Sequence, residues 1–142
     1  MRARSAFEYA IVRVVPHVER EEFVNAGVIL YCEDRALLIA RIELDEARLL
    51  AIAPDVDLEL VTSHLDAIAR VCEGRASSGP IGHLPIRERW RYLVAPKSTI
   101  LQTSPPHAGM SDAPEEVLER LIARVVRSPR ASTQSPPPTE PS

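Results

Sequence analysis

Val24-Asn25-Ala26-Gly27-Val28-Ile29-Leu30-Tyr31-Cys32, then Glu33-Asp34-Arg35, then Ala36-Leu37-Leu38-Ile39-Ala40-Arg41-Ile42-Glu43 is the stretch that decides the fold. Two apolar runs rich in β-branched residues flank a short polar connection, which is the pattern of a β-hairpin. Pairing Cys32 with Ala36 puts Val24, Ala26, Val28, Leu30 and Cys32 beside Ala36, Leu38, Ala40 and Ile42. That face is wholly apolar, so it is the expected surface for helix packing. Side chains alternate along a strand, so Asn25, Gly27, Ile29, Tyr31, Leu37, Ile39, Arg41 and Glu43 take the opposite face.

Before the hairpin, residues 7–15 are aromatic and β-branched and stop at Pro16, which predicts a first strand. After it, the pattern turns helical. Asp45 can cap a helix over 46–53 that Pro54 ends. Leu58, Val61, Leu65, Ile68 and Cys72 form one stripe of a second helix, closed by Gly74. Residues 75–84 read as a loop. Pro85 opens a third helix carrying Ile86, Trp90, Leu93 and Val94, and Pro96 stops it. Residues 99–103 predict a short fourth strand, and 105–109 a loop. Asp112 with Glu115 resembles a capping box for a last helix with Val117, Leu118, Leu121, Ile122 and Val125. Strands first and helices later predict an α+β domain. A small antiparallel sheet, a three-strand meander with a short fourth strand, would be covered by three to four helices over residues 1–127. Residues 128–142 hold five prolines and four serines but only Ala131 as an apolar side chain, which predicts a disordered tail.

Composition excludes several functions. The 142 residues carry 17 basic and 20 acidic side chains, a net charge of -3. Non-specific nucleic-acid binding needs a basic surface that such a chain lacks. No apolar run approaches the ~20 residues that span a bilayer. Glu8 and Arg13 interrupt the apolar segment after the charged start, so no signal peptide is expected. Cys32 and Cys72 fall on apolar faces and read as reduced core thiols in a cytoplasmic protein. No motif calls for a cofactor. His17 with Glu19, Glu21 and Glu22 matches no zinc or calcium spacing, so the turn reads as solvated rather than metal-binding.

One polar constellation stands out. In the register above Arg41 lies opposite Gly27 and Glu43 opposite Asn25. If the first strand turns Ala10, Val12 and Val14 to the core, Arg13 joins them at the same end of the sheet. Two arginines, an amide and a strand glycine open to close backbone approach can hold a phosphate or carboxylate. The structural reading is weighed above this: Glu43 neutralises an arginine and Asn25 orders the loop, because ion-pair networks also occupy sheet ends. Lys97, the only lysine, sits beside Ser98 without any Gly-rich phosphate loop, and His107 lies in a second polar loop. The candidate anion site is therefore Arg13, Asn25, Gly27, Arg41, Lys97, Ser98 and His107; the residues name no catalytic set.

The runs Tyr9-Ala-Ile-Val-Arg-Val-Val-Pro16 and Glu19-Arg-Glu-Glu-Phe-Val-Asn-Ala-Gly-Val28 resemble the domain-of-unknown-function family 3037, with 95–99 and 103–109 as its second signature. The resemblance covers about residues 7–127. It implies a small bacterial domain without an established activity and supplies no catalytic residues. It also implies a partner, a toxin-type serine/threonine kinase encoded nearby. Two expectations follow: a non-catalytic binding or regulatory domain acting with a protein partner is preferred. The alternative is an enzyme or ligand-binding protein for a phosphorylated or nucleotide-like small molecule.

Overall fold

The computed structural model describes residues 3–74, 79–97 and 99–127. Ser98 and the expected tail from residue 128 lie outside the described residues. The strands are β1 (Ser5–Val14), β2 (Val24–Cys32), β3 (Leu37–Ile42), β4 (Leu101–Thr103) and β5 (His107–Ser111). The helices are α1 (Glu46–Ile52), α2 (Leu58–Glu73), α3 (Gly79–Gly82), α4 (Ile86–Val94) and α5 (Pro114–Leu121), the last continued by a π-helical turn over Ile122–Val126. This is the α+β class that the sequence predicts. The strand order is β3-β2-β1-β4, all antiparallel, with β5 also paired to β1.

Local chemistry sets the element ends. The Asp45 side chain accepts the Arg48 N–H and caps α1; Asp57 does the same for Leu60 at the start of α2. Gly74 ends α2 in the left-handed region (φ 72°), donating to the Arg70 and Val71 carbonyls. The Arg89 guanidinium then donates to the carbonyls of Val71 and Cys72, both at 2.8 Å, placing a cation at the helix's negative end. The basic residues around Trp90 are thus partly engaged, since Arg87 also pairs with Glu33.

The hairpin register differs by one residue from the expected one. Cys32 pairs with Leu37, not Ala36. The connection needs the extra residue: Glu33–Arg35 form a 3-10 turn and Ala36 closes it at φ 50°, donating to the Glu33 carbonyl. Ile29 and Tyr31 therefore share a face with Ala40 and Leu38, while Val28, Leu30 and Cys32 share the other with Arg41, Ile39 and Leu37. The slip is harmless because both faces are covered. On one side Ile29 and Tyr31 join Ala10, Val12 and Val14 in a core with Leu49, Val61, Leu65, Trp90 and Leu93. On the other, Val28, Leu30 and Cys32 join Phe7, Leu118, Leu121, Ile122 and Val126. A bulge between Val12 and Arg13 of β1, where β2 spends one extra residue, keeps Val24 and Ala26 on the first side.

Three further expectations are corrected. The predicted loop at 105–109 contains the start of β5. It continues the line of β4 along β1 after a break at residues 104–106. Pro105 and Pro106 have no N–H to give, and the Ser104 hydroxyl fills the ladder by accepting the Ile11 N–H at 2.9 Å. Within the predicted 75–84 loop, Gly79–Gly82 form the helical turn α3. The capping box of α5 is not made: the Ser111 hydroxyl accepts the Ala113 N–H, and no side chain caps that helix. Both cysteines are free and buried, and burial pushes the Cys72 thiol up to about 12. Among the described residues no helix is long and apolar enough to cross a membrane.

Candidate functional site

The polar constellation forms only in part. Its residues are divided between two ends of one sheet face, and a partner 78 residues away decides the division.

At the β3 end the cluster closes on itself. The short turn and the β2–β3 register bring Arg41 beneath α5, where it pairs with Glu119. Glu43 does not pair with Arg41 but takes two hydrogen bonds from Arg127, at 2.8 and 3.1 Å. Arg127 also reaches Glu119 at 3.3 Å. The Arg127 hydrogen bond, with its charge and that of Arg41, holds the Glu43 carboxyl below its ordinary range against the cost of burial. Asn25 donates its amide to the Val125 carbonyl at 2.9 Å. Gly27 is crowded by protein rather than open to a ligand: a Cβ there would lie 2.7 Å from the Arg41 carbonyl oxygen and 2.8 Å from Ile42 Cδ1. These residues read as architecture.

At the β1–β4 end the surface stays open. Asn25, Arg13 and Gln102 stand opposite one another across β2, β1 and β4. The Arg13 guanidinium lies 4.3 Å from the centroid of the Phe23 ring. Among the described residues it has no ion pair, and its buried Nε has no hydrogen-bond partner. A groove of about 350 Å³ runs past it, lined by Arg13, Val15, Val18, Glu21, Phe23, Lys97 and Gln102. Arg13 and Lys97, from the two signatures, do meet here. Lys97 arrives with its ammonium already donating to the carbonyls of Tyr92 (2.8 Å), Ala95 (3.2 Å) and Leu93 (3.5 Å), and burial lowers its pKa. It brings charge to the groove more than free hydrogen bonds.

His107 is elsewhere. It is exposed on β5, stacked on Tyr9 with ring centroids 5.0 Å apart, and Tyr9 lies four residues along β1 from Arg13, roughly 13 Å at strand rise. Ser98 lies outside the described residues. Sequence reasoning missed Phe23, Gln102 and Val18, and weighed Glu21 only as part of a solvated turn. Phe23 stands inside the first signature and was legible as an aromatic in a charged turn; the pairing of Gln102 with Arg13 is a tertiary fact with no local signal. The groove has the means to grip an anionic group by charge and to pack an apolar one against Phe23 and Val18. Among the described residues no group of three or more His, Cys, Asp or Glu side chains is placed to hold a metal.

A family model described as "Protein of unknown function (DUF3037)" matches residues 9–126. No curated protein and no solved structure matches the chain.

Proposed function

The chain belongs to the DUF3037 family of unknown function, and from that premise we propose that it is a non-catalytic binding or regulatory domain. It acts with a protein partner, and the Arg13 groove receives an acidic side chain of that partner. The observation that carries this is Arg13 itself: a guanidinium stacked on Phe23, lining a groove, without an ionic partner among the described residues. Exposed Val18 and Phe23, at 42% and 44%, flank it and offer the apolar area that a protein interface uses around a charged anchor. Glu21 lines the same groove. Its carboxylate beside Arg13 repels a phosphate dianion more than the single charge of an acidic side chain. That favours the protein reading over the small phosphorylated ligand. The kinase implied by the family resemblance is the partner to test first.

The test is calorimetric titration of the purified full chain with that kinase. Binding that Arg13→Gln and Phe23→Ala each weaken by about tenfold or more supports the reading. Wild-type stabilisation by phosphate or a nucleotide, lost in Arg13→Gln, would replace it with the small-ligand alternative.

A further inference from the structure

A second concavity lies on the opposite face of β4, between α2 and the C-terminal end of α4. Its volume is about 310 Å³. An apolar cavity of roughly half that size suffices for a benzene ring. The floor is built by Ala67, Ile68, Val71, Leu93 and Leu101. Of these, Ala67, Ile68 and Leu101 are only half-buried, so apolar surface is left facing the space. His64, Tyr92, Lys97 and Thr103 stand around it.

Two features of those polar groups point to an occupant. First, none of the lining residues is Asp or Glu, although acids outnumber bases in the chain, 20 to 17. Second, the side chains of His64 and Thr103 and the Tyr92 hydroxyl make no hydrogen bond with other described residues, whereas Lys97 is pinned by three backbone carbonyls and stacked 5.0 Å from the Tyr92 ring centroid. A fixed positive charge beside uncommitted polar side chains, two of them (His64 and Tyr92) exposed at the rim, around an apolar floor, is the kind of lining a ligand pocket has. One ammonium whose protons are already used matches a single negative charge; a phosphate dianion would need more.

We infer that this cavity binds a small amphipathic carboxylate, with an apolar body of about two rings on the floor. The carboxylate takes hydrogen bonds from His64, Tyr92 and Thr103 beside the Lys97 charge. The cavity adjoins the Arg13 groove and shares Lys97 and Gln102 with it, but its apolar floor, His64, Tyr92 and Thr103 belong to it alone, so the inference does not rest on the partner reading.

The test uses the full chain with 2-naphthoate and its uncharged counterpart 2-naphthalenemethanol, followed by amide NMR and thermal melts. Naphthoate should raise the melting temperature with concentration and shift the amides of Ile68 and Leu101. The alcohol should bind about tenfold more weakly. Ala67→Phe should abolish both, and Lys97→Met should reduce naphthoate to the alcohol's affinity while leaving the alcohol unchanged. Retained alcohol binding shows that the lysine variant is folded, so the charge test stands even if Ala67→Phe does not fold. Absence of any shift up to about 1 mM, equal affinities for acid and alcohol, or wild-type binding by folded Ala67→Phe would overturn the inference.

Discussion

Arg41 and Arg13 stand on the same face of one sheet, two strands apart, and their surroundings differ in kind. Arg41 lies under α5, with Glu119 on it and the Glu43–Arg127 pair beside it. Arg13 lies past the cover of α5, with an aromatic ring and a groove. In sequence the two look alike, each an arginine in an apolar strand. What separates them is the last helix, which supplies a carboxylate to one and not to the other. A charge that the fold neutralises is architecture; one that it leaves unpaired at a groove is available to a partner.

The strongest way to break the comparison is to attack the cover itself. Ile122 is fully buried against β2 where α5 passes into its π-helical turn. Ile122→Ala should cost about 2–5 kcal/mol, as for other large-to-small core changes, read as a lower urea midpoint with the slope unchanged. A loss well below 1 kcal/mol would mean that α5 is draped on the sheet rather than packed, and the closed end would not be closed.

Gly27 comes next. A Cβ there strikes the Arg41 carbonyl, which is backbone and cannot swing aside. Gly27→Val should therefore cost on the order of 1–3 kcal/mol or more. The fair control is Gly79→Asn. Gly79 has open space around it but a φ of +75°, which strains valine and suits asparagine. Similar melting temperatures for the two variants would show that β3 does not crowd Gly27.

These two sites also mark how far the sequence could be read. β1 to β4, the helices α1, α2 and α4 and most of their end signals are legible because caps, prolines and periodicity are local. The continuous apolar run Val28-Ile29-Leu30-Tyr31-Cys32 is the pattern of a strand covered on both faces, so strict alternation along it does not fix the register. The register slipped because Ala36 adopts a left-handed conformation that nothing in its side chain announces. In sequence β5 reads as loop because Pro105 and Pro106 stand just before it, where a serine hydroxyl repairs the ladder. Of the candidate site, Arg13 and Lys97 were brought to one groove. Arg41, Asn25 and Gly27 were claimed by α5, its π-helical turn and β3, through contacts that no local pattern encodes.

A smaller effect sharpens the electrostatic side. Arg127 holds the Glu43 carboxyl below its ordinary value of 4.5. A carboxylate depressed in the folded state contributes stability that is present above that ordinary value and is lost as pH falls through the folded one. Both partners are more than a third exposed, so solvent screens the pair and the contribution is modest. Glu43→Gln should lie below wild type at neutral pH and converge on it under acid conditions, below about 4.5. A gap that persists unchanged at the acid end would assign the loss to packing rather than to the ion pair.

The smallest expected change in stability is the most informative about function. Among the described residues Arg13 pairs with no carboxylate and its buried Nε has no partner, so Arg13→Gln strands no carboxylate and removes an unsatisfied group. What it forfeits is the stacking on Phe23, about 0.5–1 kcal/mol at an exposed ring. Arg41→Gln, by contrast, takes a neighbour from Glu119 and should lower the melting temperature further. In thermal melts of the two variants the ranking should put Arg41 first, whereas in partner titrations it should put Arg13 first. That inversion is the signature of one arginine kept for the fold and another kept for binding. If Arg13→Gln proves the more destabilising, its guanidinium is structural after all, and the groove loses the charge on which the binding proposal rests.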